Sequence, residues 1–166
     1  MMAGFLKVAA VCAAAALIWT VAGSRVPNHE KLPLSLVVPG AIVTQPFGCT
    51  TLDLEPIDLL CPSGHVHRGI DLAAPEGTAV HAAMGGTARV GFDRAGAGLY
   101  VVVLSDQHVR ALYCHLSSAF VAEGEAVAAG NAIGAVGATG LATGAHLHFE
   151  IQVDRRSVDP AVWLGS

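Results

Sequence analysis

The residues best suited to chemistry in this chain are histidines: eight of them stand against nine Lys plus Arg. Histidine is the commonest metal ligand and the usual proton carrier near neutral pH. The densest group is His146-Leu147-His148-Phe149-Glu150. In a strand, residues two apart point to one face. His146 and His148 then project together, while Leu147 and Phe149 point into the core. Two imidazoles on one half-buried face need partners. A metal ion meets that need, as does one ligand beside one proton-handling group. Two solvent-facing histidines on a wet face are the plainer alternative.

A second segment, His67-Arg68-Gly69-Ile70-Asp71, changes the balance. Gly69 lets the backbone bend so that His67 and Asp71 converge. Two histidines and one carboxylate are a suitable three-ligand zinc set with a fourth position open to water. Taken singly, Asp71 reads as a turn cap and His67 as a loop histidine. The third segment, Tyr113-Cys114-His115-Leu116, adds another imidazole. A cysteine nucleophile paired with its neighbour is excluded by strand alternation, which sends Cys114 and His115 to opposite faces. The chain has no HExxH motif, so no helix-borne glutamate base is at hand.

The other polar candidates carry less. Glu150 shares the face of His146 and His148; it either orients a ligand imidazole or pairs with an arginine. His65 lies two before His67 and is an alternative ligand or a substrate contact. His81 reads as packing within a strand. His29 and His108 lie in a tether and in a hairpin.

The elements that must position these groups are short strands. Nineteen glycines imply many tight turns, and aromatics are only 5% of the chain, so Val, Leu, Ile and Ala build the core. Strands are expected at 41–44, 78–83, 87–92, 99–105, 109–115 and 146–153, with a hairpin at 105–108. Residues 121–136 carry a loose glycine rhythm. The expected fold is all-β, with antiparallel sheets forming a groove. Residues 49–64 read as an inserted loop that walls the cleft just before His67.

Residues 1–23 read as a signal peptide or membrane anchor: Lys7 precedes an apolar run, and Val21-Ala22-Gly23 suits a cleavage site. Residues 24–39 read as a proline-punctuated linker, and 40–166 as the functional domain. Either fate of the first segment places the domain outside the cytoplasm, secreted, periplasmic or anchored at the envelope. There Cys49 and Cys61 can close a disulfide; both reduced, or Cys61 near a metal, are the alternatives. Cys12 belongs to the targeting segment, and Cys114 reads as a small core residue.

A formal charge of −4 and no clustered basic face exclude nucleic acid as a partner. The glycine spacing of 121–140 has the look of a lipoyl or biotin carrier. Such a carrier needs a lysine on a hairpin tip, and the only lysines are Lys7 and Lys31.

His67-x-x-x-Asp71, Tyr113-x-His115-Leu116 and His146-Leu147-His148-Phe149-Glu150, taken in order, resemble the M23 family of metallopeptidases, the lysostaphin/LytM-like peptidoglycan endopeptidases. Val43-Thr44-Gln45-Pro46-Phe47-Gly48 is similar to the family's opening segment. Gly77-Thr78-Ala79-Val80-His81-Ala82-Ala83 is similar to its next strand, and Gly137-Ala138-Thr139-Gly140 to its approach to the last motif. Gly96-Ala97-Gly98-Leu99-Tyr100 departs from the Gly-Tyr-Gly segment common in the family. The resemblance implies a β-sandwich of the duplicated-hybrid-motif type. It implies one zinc ion held by His67, Asp71 and His148, with His115 and His146 as the non-ligand histidines of catalysis. It also implies a peptidoglycan peptide as substrate. Membrane contact is then confined to the N-terminal segment, and an idle or partner-activated module, opened by another envelope protein, is the alternative reading.

Overall fold

The computed structural model describes residues 30–105 and 108–165. The targeting segment, Cys12 and His29 lie outside the described residues. The chain forms thirteen described strands and two short helices. A single turn, α1 (Leu34–Val37), leads into β1 (Ile42–Gln45), β2 (Gly48–Thr50), β3 (His65–His67) and β4 (Ile70–Ala73). Next come β5 (Ala79–His81), β6 (Gly86–Asp93), β7 (Gly98–Leu104), β8 (Val109–Leu116) and β9 (Ser118–Ala119). The chain ends with β10 (Ala126–Val127), β11 (Ala132–Ala135), β12 (His146–Val153), β13 (Arg156–Val158) and α2 (Pro160–Leu164). The mostly antiparallel β architecture is the expected one.

One large sheet runs β1-β4-β12-β8-β7-β6-β10, with β13 added beside β12. A second, smaller sheet runs β5-β11-β9, and β2 pairs with β3 alone. Burial alternates at the start of β8 and of β12, whereas Val101–Val103 of β7 are buried on both faces, as in a covered central strand. Leu147, Phe149 and Ile151 of β12 are fully buried, as are Val101 and Val103 of β7. Tyr113 and Phe149 pack with ring centroids 5.1 Å apart. The Tyr113 hydroxyl is buried and accepts the Ala83 backbone N–H at 2.7 Å, tying the large sheet to the end of β5.

The expected linker is only partly a tether. Leu34, Val37 and Val38 are buried in the core cluster, so packing starts before Gly40. Lys31 ties this segment to α2: its Nζ donates to the Trp163 carbonyl at 3.1 Å and lies 3.6 Å from the Trp163 ring centroid. Leu34, Val37 and Val38 stand at i, i+3 and i+4, but a single turn between Pro33 and Pro39 is too short to show a helical period in the sequence.

Candidate metal centre

β4 and β12 run antiparallel, with Asp71 opposite His148 and Ile70 opposite Phe149. On the other side of β12, His148 lies opposite Cys114 of β8. This register sets the site in the middle of the sheet, where strands are held on both edges. His146 and His148 face the cleft while Leu147 and Phe149 are buried, as alternation requires. The ligand atoms of His67, Asp71 and His148 all lie within 4.8 Å of one another.

Gly69 allows this convergence, for a different reason from the one expected. Its backbone is not left-handed. A Cβ there would lie 2.6 Å from the Phe149 carbonyl oxygen and 2.9 Å from the His148 ring. Glycine is needed because β12 passes close by, not because the chain must bend.

The polar contacts define how the donor set works. His67 is fully buried, and its Nδ1–H donates to the Pro46 carbonyl at 3.0 Å. A carbonyl only accepts, so neutral His67 carries its lone pair on Nε2. That Nε2 lies 3.0 Å from His148 Nδ1 and 3.2 Å from Asp71 Oδ1. His148 Nδ1 lies 2.9 Å from the same Asp71 oxygen. Tetrahedral bonds of about 2.0–2.1 Å put donor atoms about 3.3–3.4 Å apart. The observed triangle is slightly tighter, and three lone pairs meet in it once the imidazoles shed their inward protons. The residues therefore fit a divalent cation of the zinc type.

Without a cation, protons hold the triangle together. Burial pushes the Asp71 carboxyl up, but hydrogen bonds from His148 and His67 outweigh it and hold Asp71 well below the usual carboxylate range. Burial disfavours charge on His67, yet Asp71, the Pro46 carbonyl and the Glu55 charge outweigh it, raising the His67 pKa. A bound cation takes the place of those protons.

The two other site histidines are set by the same device. His115 Nδ1–H donates to the Thr139 carbonyl at 2.8 Å, and His146 Nδ1–H to the Gly144 carbonyl at 2.9 Å. Each neutral ring keeps its lone pair on Nε2. The two ring centroids are 4.8 Å apart, and His146 Nε2 lies 3.9 Å from Asp71 Oδ1. Burial lowers the His115 pKa, and the neighbouring His146 and His148 lower it further against the Thr139 carbonyl. The neutral form of His115 is thereby favoured.

A β-bulge aims His115. Leu99 pairs with Leu116 and Val101 with Tyr113, so Tyr100 faces both Cys114 and His115. His115 is the extra residue, at φ 63°. Strand alternation consequently does not separate Cys114 from His115, and both line the same cleft. What excludes Cys114 as a nucleophile is burial, which pushes its thiol up to about 12.

The remaining expected residues fall outside the triangle. Glu150 is buried and accepts from Ser157 Oγ and from Gln152 Nε2 at 3.0 Å, so it is bound to neither an imidazole nor an arginine. His65 uses Nδ1 on the Glu55 carbonyl at 2.7 Å. His81 is half-buried in β5. Cys49 and Cys61 form the disulfide, with Cα atoms 5.3 Å apart.

Sequence reading missed Thr139 and Glu55. The Thr139 hydroxyl donates to the Leu116 carbonyl and accepts from Leu99 N–H, while its own carbonyl holds His115. Its place in a glycine-flanked turn was the only available signal. Glu55 Oε1 lies 4.0 Å from His67 Nε2, and nothing periodic in residues 49–64 marks it. Leu52, Leu54, Glu55 and Pro56 wall an open cleft of about 490 Å³ that also contains Asp71, His115, His146 and His148.

Comparison with known proteins agrees with this geometry. The chain is 39% identical over 93 residues to the peptidoglycan DD-endopeptidase ShyB of Vibrio cholerae, covering 56% of this chain and 22% of ShyB. It superposes on a zinc containing peptidase from Vibrio cholerae with a TM-score of 0.66 at 30% identity, covering 78% of this chain and 39% of that one. It superposes on the catalytic domain of lysostaphin from Staphylococcus simulans with a TM-score of 0.67 at 29% identity, covering 82% and 100%. The chain spans only 20–26% of the length of curated relatives such as these. The profile of peptidase family M23 matches residues 65–160. That stretch carries all five histidine and aspartate positions of the site, and the chain belongs to peptidase family M23.

Proposed function

We propose that this protein is a zinc-dependent endopeptidase that hydrolyses peptide bonds in the stem or cross-bridge of bacterial peptidoglycan. The observation that carries the reading is the triangle of His67 Nε2, Asp71 Oδ1 and His148 Nδ1, with sides of 2.9–3.2 Å. These three residues hold the zinc. Bound there, zinc supplies Lewis-acid activation of water and of a peptide carbonyl.

The chain's own residues do the rest. His115 and His146 present Nε2 to the cleft, each with Nδ1–H anchored on a carbonyl. Either can hold a proton for the departing amine, and either in its charged form stabilises developing negative charge. The cleft is open and walled by Leu52, Leu54 and Leu141. It suits an extended peptide. The names of the relatives, peptidoglycan endopeptidase and zinc containing peptidase, support both substrate class and metal. Residues 1–23 export the domain, as cleaved signal or as anchor, and the enzyme works in the cell envelope with a folded unit that begins before Gly40.

The test uses the full chain, as isolated, after metal removal, and after zinc return. Each sample is incubated with intact sacculi, and released fragments are identified by mass spectrometry. Zinc-restored release of peptide-cleaved fragments is the expected result and names the bond. A zinc-loaded, folded protein that releases nothing overturns autonomous catalysis and points to a partner-opened module.

A further inference from the structure

We propose that the disulfide-closed loop supplies Glu55 to the metal centre as a second acidic group, which balances the charge of the cation and helps retain it. The inference rests on the metal-centre reading above and extends it to a residue outside the three-ligand set.

Charge supplies the first argument. His67 and His148 are neutral as ligands, so Asp71 alone offers one negative charge against the two positive charges of a divalent cation. Among the described residues, Glu55 is the further carboxylate that lies within 4.0 Å of a triangle nitrogen, with Oε1 4.0 Å from His67 Nε2 and its side chain 19% exposed. Glu150 also lines the cleft, but Ser157 and Gln152 both donate to its Oε1, and among the described residues it forms no ion pair with an imidazole of the triangle. At such separations, in a half-buried setting, a unit charge interacts far more strongly than it does across bulk water.

The second argument is that Glu55 is held in place by the strand that carries His67. Its carbonyl accepts from His65 Nδ1 at 2.7 Å, and the Pro56 carbonyl accepts from Val66 N–H at 3.0 Å. Ile57 bridges to His65. The segment thus runs as an added edge along β3, two residues from His67. Gln45 Nε2 donates to Glu55 Oε1 at 3.2 Å and fixes the side chain. The Cys49–Cys61 disulfide closes the loop from behind. A carboxylate clamped at backbone, side chain and loop base is positioned to act on the centre.

The test is zinc affinity, measured on the full chain by competition with a chromophoric chelator at fixed pH. Glu55→Gln keeps shape and removes charge; it is expected to weaken zinc binding about tenfold to a hundredfold, the usual cost of removing a group just outside the ligands. Glu55→Asp keeps the charge and should lose less. Asp53→Asn removes a charge from the same loop, on a side chain 97% exposed, and should leave affinity unchanged. Cobalt substitution gives a second readout: the visible bands of the Glu55→Gln protein should differ from those of the parent. If the parent binds one zinc and Glu55→Gln binds it as tightly with the same cobalt spectrum, the inference is overturned. An equal loss in Asp53→Asn also overturns it, because net charge alone would then explain the effect. A parent that binds no zinc sinks the metal-centre reading itself, a separate result.

Discussion

The floor of the cleft and its loop wall are built on different principles. On the floor, Asp71 and His148 face each other across β4 and β12, and His67, on β3 opposite Gly48 of β2, is fully buried. The wall, residues 49–64, holds few pairings, a disulfide, and leucines turned to solvent: Leu59 and Leu60 are each 92% exposed. The floor is over-determined, so one wrong side chain disturbs several contacts. The wall is tied at a few points, so it tolerates change except where it meets the His67 strand, at Cys49, Thr50 and 55–57. Ligand geometry needs the first kind of structure. Substrate choice can vary on the second.

The largest effect should come from the floor. His148→Ala should abolish both zinc retention and peptidase activity, read by metal content and sacculus digestion. An active, zinc-free variant would remove the ligand assignment. Next is His115→Ala, which leaves the triangle intact. It should keep zinc while activity falls about a hundredfold to ten-thousandfold, the span of general acid–base contributions; loss of zinc in this variant would move His115 into the ligand set.

A smaller effect is expected at Gly69→Ala, where the new Cβ meets the Phe149 carbonyl oxygen at 2.6 Å. Forcing β12 away should lower unfolding stability by about 1–3 kcal/mol, the common cost of overpacking, and weaken zinc binding in parallel. Denaturant unfolding that matches the parent would show the strand contact to be soft. The smallest belongs to the wall. Leu59→Ser with Leu60→Ser should shift stability by no more than about 0.5 kcal/mol, as for other exposed positions. A large loss there would mean that the wall is as constrained as the floor.

Much of the floor could be read from the chain. The HxH alternation in β12 came from period two alone, and its buried partners Leu147 and Phe149 confirm the faces. Strand positions through 78–116 also followed from β-branched runs between glycines. Legibility failed where a contact breaks the local period. The bulge at His115 inserts one residue into β8, so alternation could not place Cys114 relative to it. The packing of Leu34, Val37 and Val38 depends on a surface made by distant strands. The role of Gly69 depends on the approach of Phe149, eighty residues away in sequence.

The sequence by itself determined the residue types of the site, their order, the strand-rich fold class and the family resemblance. These depend on local periodicity and on motifs that survive within a few residues of chain. The tertiary structure decided how the pieces meet. Pairing of β4 with β12 puts Asp71 opposite His148; carbonyls of Pro46 and Thr139 choose the nitrogen that His67 and His115 present; and the loop delivers Glu55. Those outcomes are contacts between segments far apart in the chain, and no local pattern encodes a distance across a fold.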